Sequence, residues 1–364
     1  MVDPSHMRAA LALARRGLGN TWPNPSVGCV IVQYGQVVGR GVTQPGGRPH
    51  AETQALAMAG EAARGADAYV TLEPCNHTGQ TPPCTEALVA AGVARVVIAG
   101  NDPDPRVDGA GIARLRAAGI EVVTGVLTAQ ADEMQAGFLC RVQHGRPLVT
   151  LKLATTLDGK IATRSGESQW ITGASARAAA HALRGQHDAV LVGVGTVAAD
   201  NPSLTCRIVG FRSTPVVRVV VDSHLRTRLT ARLIATATTD PTWIIHRGGV
   251  PADRQEAFST AGVRMLSVAG GERGVDLAAG LQALGAAGLT RVLVEGGAQI
   301  AAGLLRDGLV DRIAWFHAPG IMGGDGWPAA QAFGVTDLSA MPRFTRTSIR
   351  AVGDDMLTEF SRAA

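Results

Sequence analysis

His50-Ala51-Glu52, Glu73-Pro74-Cys75-Asn76-His77 and Thr81-Pro82-Pro83-Cys84 make up the stretch from which the first half of the chain is read. One imidazole and two thiolates suit a zinc ion and leave its fourth tetrahedral position open, as in a catalytic rather than a structural metal site. A carboxylate beside the water on such an ion can carry its proton to a leaving amine. His50, Cys75 and Cys84 are therefore the expected metal ligands and Glu52 the expected proton shuttle, a set that reads as hydrolytic deamination. Residues i and i+2 of a helix point to nearly opposite sides, so His50 and Glu52 can face one metal only if His50 stands at the very start of its helix. Pro49 fits that start, because a proline disfavours helix immediately before it. Cys84 likewise precedes a helical run, Thr85 to Ala91, whose N-terminus favours a thiolate. Cys29, Cys140 and Cys206 read as small buried hydrophobes.

Upstream, Met7, Ala10, Leu11, Ala14 and Leu18 recur at helical spacing, with Arg15 and Arg16 between them, which predicts an amphipathic first helix and not a signal peptide. Val27 to Val32 and Val37 to Val42 read as a hairpin around Tyr34-Gly35-Gln36. Downstream, strands at Ala68 to Leu72, Arg95 to Ala99 and Glu121 to Thr124 alternate with helices at Gly109 to Ala118 and Thr128 to Arg141. That order predicts an α/β sheet with helices on its faces and the metal ligands at one edge. The 364 residues suffice for two domains, and His144-Gly145-Arg146-Pro147 is the turn-rich break that sets them at 1–145 and 146–364. A net charge of +4 with scattered arginines and few aromatics argues against nucleic acid as a partner. No apolar run is long enough to span a bilayer. Five cysteines, two of them assigned to metal, point to a reducing, cytoplasmic setting.

In the second half, two strand-to-helix turns are glycine-rich: Val192-Gly193-Val194-Gly195-Thr196 and Val294-Glu295-Gly296-Gly297-Ala298. Either could bring backbone N–H groups against a nucleotide phosphate, and in the first case Asp222 would be the ribose acceptor. The glycines could equally serve only as tight turns. Lys152, between Leu151 and Leu153 on a strand, is a further candidate for an active site.

Cys75 and Cys84 are separated by eight residues, where zinc deaminases usually have Pro-Cys-x-x-Cys. The longer segment Cys75-Asn76-His77-Thr78-Gly79-Gln80-Thr81-Pro82-Pro83-Cys84, together with Thr21-Trp22-Pro23-Asn24-Pro25-Ser26-Val27-Gly28, resembles the bifunctional pyrimidine deaminase/reductase family of riboflavin biosynthesis. The resemblance extends over nearly the whole chain. It implies a cytidine-deaminase-like zinc domain followed by a dihydrofolate-reductase-like domain that uses NADPH. The implied substrate is a small phosphoribosylated diaminopyrimidine, deaminated first and then reduced at its ribosyl group, and we expect a homo-oligomer. By the same resemblance, Asn24, His77 and Asp102 would contact the deaminase substrate. Ala154, Trp170, Thr196, Asp200, Ser223, Gly296 and Gly297 would line the cofactor side of the reductase cleft. Ser168, Arg184, Leu204, Arg207 and Glu295 would hold its substrate. Two positions depart from the family: Gln80 stands where a Lys or Arg is usual, and Asp104 where an Asn is usual. Without the resemblance, a nucleic-acid-editing deaminase and a binding protein with structural zinc stay open.

Overall fold

Alternating side chains on three consecutive strands settle the layering of the first half. In the computed structural model, which describes residues 2–79, 81–271 and 274–363, the chain divides into two compact units, Met1–Gly145 and Arg146–Ala364. The first unit is a five-stranded mixed sheet. Its strands are β1 (Gly28–Gln33), β2 (Gln36–Val42), β3 (Asp67–Leu72), β4 (Arg95–Gly100) and β5 (Glu121–Thr124), in the order β2-β1-β3-β4-β5. β1 runs antiparallel to both neighbours, and β3, β4 and β5 are parallel. Cys29, Ile31, Ala68, Val70, Val96 and Ile98 face α2 (Ala51–Ala59), α3 (Cys84–Ala91) and α4 (Ala110–Ala117). Val30, Val32, Tyr69, Val97 and Ala99 face the opposite way, toward α1 (Pro4–Gly17) and α5 (Thr128–His144). This is the period-2 pattern of a sheet buried on both faces.

Close approach of α2 to the hairpin places the metal segment. A Cβ at Gly41 would lie 2.0 Å from the Ala51 carbonyl oxygen, so only a glycine on β2 lets the first turn of α2 sit so near. The expected ligands collect at the carboxyl end of β3 and the N-termini of α2 and α3. β3 is the central strand, and the site lies at its carboxyl end, where strands hand over to helices as the sequence led us to expect.

The second unit is a nine-stranded sheet. Its strands, in spatial order, are Arg264–Val268, Thr242–Arg247, Val217–Val221, Ala189–Gly193, Arg291–Glu295, Leu148–Thr155, Arg312–His317, Asp355–Arg362 and Phe344–Val352. The first seven are parallel and the last two join antiparallel as a hairpin. Buried Asp188 stitches its centre, accepting from Thr290 N (2.6 Å), Thr290 Oγ1 (2.8 Å) and Arg291 N (2.9 Å).

Next to it, His187 is buried with both ring nitrogens engaged, Nδ1 to the Leu183 carbonyl (2.7 Å) and Nε2 to Thr150 Oγ1 (2.9 Å). A carbonyl can only accept, so Nδ1 carries the hydrogen and Nε2 accepts from the threonine. Burial pushes the ring's pKa down to about 3. The neutral ring's contribution to stability is therefore full above the unfolded value of about 6.5 and is lost as pH falls toward the folded one. Thermal melts from pH 7 to 5 should show the wild type losing up to about 1.4 kcal/mol per pH unit relative to His187→Gln, which keeps one donor and one acceptor. Parallel curves for the two proteins would refute the assignment.

Candidate active sites

His50 is the N-cap residue of α2, with extended backbone (φ −71°, ψ 161°), so the condition for His50 and Glu52 to face one point is met. Cys75 follows β3, and Cys84 is the first residue of α3. The His50 Nδ1 lies 3.3 Å from Cys84 Sγ and 3.6 Å from Cys75 Sγ, and the three donor atoms lie within 4.8 Å of one another. The Cys84 N–H donates to Cys75 Sγ at 3.4 Å. The Cys84 hydrogen bond and the His50 ring draw the Cys75 pKa down to about 4 against the effect of burial. Two thiolate-capable sulfurs and one imidazole, this close and with no fourth donor grouped with them among the described residues, fit zinc with an open position. Glu52 is buried, and burial followed by the Cys75 charge holds its carboxyl above the usual range. A carboxyl so placed is suited to taking and returning a proton near neutral pH.

Around this centre, Asn24 donates from Nδ2 to the Gly47 carbonyl (3.1 Å). His77 keeps its Nδ1 shielded from solvent with no hydrogen-bond partner among the described residues. Asp102 is buried and accepts from Asp104 N at 2.9 Å; burial raises its pKa to about 6. Asp104 is gripped by the Arg106 guanidinium (2.9 and 2.5 Å), which brings its pKa down to about 2. Gln80 lies outside the described residues.

In the second unit the two glycine turns prove unlike. Gly193 has ordinary extended backbone and a helix, Val194–Asp200, begins at once, so Gly195 sits inside its first turn. Gly296 and Gly297 have φ of +96° and +89°, and a Cβ on either would meet Thr196 Oγ1 at 3.5 and 3.6 Å. That tight, side-chain-free turn before helix Ala298–Arg306 is the cradle suited to a cofactor phosphate. Asp222 is not placed as a ribose acceptor: its carboxylate is fully buried, with Oδ2 taking the N–H and hydroxyl of Thr227, each at 2.7 Å, and Oδ1 shielded from solvent with no hydrogen-bond partner among the described residues.

Beside the cradle, Arg184 Nε and Nη2 donate to the two oxygens of Glu295 (2.6 and 2.9 Å), and Arg184 Nη1 donates to the Thr205 carbonyl (3.0 Å). Burial pushes the Glu295 carboxyl up, but Arg184 and then Lys152 reverse this and hold it below its usual value. Lys152 pairs across the sheet with Glu295, and burial lowers its pKa. Leu204 turns its side chain into the core from a left-handed backbone (φ +53°), so what it can offer a ligand is main chain. Ser223 Oγ accepts from Val275 N (2.9 Å). Trp170 is exposed, with the Arg177 guanidinium 4.7 Å from its ring centre. Ala154 packs beside Phe316. Among the described residues no hydrogen bond or ion pair joins Ser168, Asp200 and exposed Arg207, although Arg207 N donates to His181 Nδ1 (3.3 Å).

Residues 2–100 match the cytidine and deoxycytidylate deaminase zinc-binding region, and residues 147–358 match the RibD C-terminal domain. The riboflavin biosynthesis protein RibD of Bacillus amyloliquefaciens is 42% identical over 356 residues, 98% of this chain and 95% of the relative. That of Escherichia coli is 42% identical over 367 residues, 98% of each. The chain belongs to the RibD family. Among solved structures, Acinetobacter baumannii RibD superposes with a TM-score of 0.89 at 38% identity, covering 99% of both chains. A Thermotoga maritima diaminohydroxyphosphoribosylaminopyrimidine deaminase/5-amino-6-(5-phosphoribosylamino)uracil reductase gives 0.85 at 33%, covering 99% of this chain and 98% of that one. The RibD fold thus joins a cytidine-deaminase-like unit to a dihydrofolate-reductase-like one, as the sequence resemblance implied.

Glu73, two residues before Cys75, went unread in the sequence. It is buried and its carboxylate accepts from the N–H groups of Gly109 (3.2 Å), Gly111 (3.0 Å) and Ile112 (3.2 Å), closing the N-terminus of α4. The only sequence signal was a carboxylate next to a strand end with a glycine-led helix far downstream. Removing it leaves three N–H groups without their acceptor, so Glu73→Ala should cost about 1–3 kcal/mol in a chemical denaturation series. An unchanged midpoint would show that solvent replaces the carboxylate freely.

Proposed function

We infer that the chain carries out two successive steps of riboflavin biosynthesis on one phosphoribosylated scaffold. Its first unit deaminates 2,5-diamino-6-(5-phosphoribosylamino)pyrimidin-4(3H)-one, and its second reduces the ribosyl group to give 5-amino-6-(5-phosphoribitylamino)uracil. The observation that carries this is the convergence of His50, Cys75 and Cys84 within 4.8 Å, with buried Glu52 two residues from His50. The enzyme works with Zn²⁺ and NADPH. His50, Cys75 and Cys84 would hold the zinc, which would supply the Lewis acidity that makes water a competent nucleophile near neutral pH. Buried Glu52 would accept a proton there and pass one to the departing amine. Asn24, His77 and Asp102 hold the pyrimidine ring.

In the second unit NADPH supplies the hydride, and the protein's task is placement. Gly296, Gly297 and Thr196 hold the cofactor, with Ala154, Trp170, Asp200 and Ser223 on the same side of the cleft. Glu295, Arg184, Ser168, Arg207 and the Leu204 main chain hold the substrate. The Arg184–Glu295 pair fixes the carboxylate so that substrate hydroxyls meet an oriented acceptor.

Among the described residues no helix is long and apolar enough to cross a membrane. We place the enzyme in the cytoplasm, where two thiols needed as ligands stay reduced. We also assign it a homo-oligomer. The nine-residue edge strand Phe344–Val352 exposes Ile349, and its neighbour exposes Met356, with an open row of backbone groups along the edge. Light scattering on the eluting protein tests this, and a monomer at micromolar concentration would count against it.

Glu52→Gln should abolish deamination while zinc content persists and NADPH-dependent reduction of the separately supplied deaminated intermediate is unchanged. Loss of zinc together with activity would make Glu52 a structural residue. Mass spectrometry of wild-type product should show deamination alone without NADPH and deamination plus reduction with it. Reduction without prior deamination would reverse the assigned order.

A further inference from the structure

We propose that Arg48 is the cation that holds the phosphate of the deaminase substrate, an assignment that rests on the reading of the first unit as a phosphoribosyl-pyrimidine deaminase. A phosphorylated substrate brings a near-dianion to the mouth of the zinc site, and a fixed cation there would meet it. At position 80 this chain has a neutral glutamine where its resemblance led us to expect a basic residue.

Two arginines stand close to the substrate-facing segments. Arg106 is committed: its fork closes on both oxygens of Asp104. Arg48 is not. Among the described residues it forms no ion pair with a carboxylate, and its one hydrogen bond runs from Nη1 to Thr81 Oγ1. It lies two residues before His50 and reaches across to the segment between Cys75 and Cys84. There a Cβ on Gly79 would come within 2.9 Å of Nη2, so the absence of a side chain at Gly79 lets the guanidinium lie against the main chain. Thr81 holds one edge of a planar group that has five donors, and the remaining donors suit a phosphate taken bidentately. Arg48 thus braces one side of the loop from the histidine segment and supplies there the positive charge that residue 80 lacks.

The test is steady-state deamination by the full-length, zinc-replete enzyme of the phosphorylated diaminopyrimidine ribosyl compound and of its dephosphorylated counterpart. The proteins compared are the wild type, Arg48→Ala, Arg48→Lys, and Arg48→Ala combined with Gln80→Lys. Charge-assisted bonds to phosphate predict that Arg48→Ala lowers the preference for the phosphorylated compound, read as the ratio of kcat/KM values, by about tenfold to a hundredfold, chiefly through KM. Arg48→Lys and the double variant should recover much of it. An unchanged ratio, or an equal fall for both compounds, overturns the proposal, the second outcome marking Arg48 as a brace for the loop. A wild type that accepts both compounds equally overturns the Arg48 assignment alone. A wild type that deaminates neither overturns the deaminase reading and Arg48's role with it.

Discussion

Three soft donors from segments up to 34 residues apart must meet within a few ångströms, and the first unit is arranged around that requirement. Two of the three donors come from helix starts. A helix interior would turn His50 and Glu52 apart, whereas the extended backbone at the N-cap turns them together. The same choice solves a second problem, because the first N–H groups of a helix have no partner within it. At α3 one of them, that of Cys84, is satisfied by Cys75 Sγ. α2 can stand where it does only because Gly41 carries no side chain against its first turn.

Much of this was legible because it follows from local rules. The continuous apolar run from Val27 to Val32 announced a buried strand, and Pro49 with His-x-Glu announced a helix beginning at the metal. What could not be read depended on where distant segments meet. Glu73 looks like part of a cysteine motif, yet its carboxylate serves a helix 36 or more residues away. Asp222 has the right type and place for a ribose acceptor, but Thr227 folds back over it. Two Gly-containing turns were equivalent as strings, and only φ distinguishes the ordinary backbone of Gly193 from the left-handed pair at Gly296 and Gly297. The side chain of Leu204 points into the core because an unusual φ turns it there, which no periodicity reveals.

Both units keep charge out of water where chemistry is done, but they balance it differently. In the first unit, Glu52 forms no salt bridge among the described residues, and burial followed by the Cys75 charge keeps its carboxyl above the usual range despite His50 nearby. Beside the glycine cradle, Glu295 is already compensated by Arg184 and Lys152 and stays ionised. The first arrangement suits a group that must exchange a proton, the second a group that must stay an acceptor.

A buried ion pair is weak evidence for stability, because desolvation can consume the gain, so the position of the Arg184–Glu295 pair carries more meaning than its strength. Glu295 is the last residue of its strand, and the two glycines follow it directly. The strand end therefore fixes the carboxylate and the cradle in one rigid step, with Lys152 opposite on the neighbouring strand. Hydride transfer needs the donor and acceptor carbons held at close, constant separation. With the proposed roles, a substrate anchor on the last residue of a central strand and a cofactor anchor on the two residues after it meet that need more directly than anchors on two independent loops, which would give the charged pair a reason to be buried where it is.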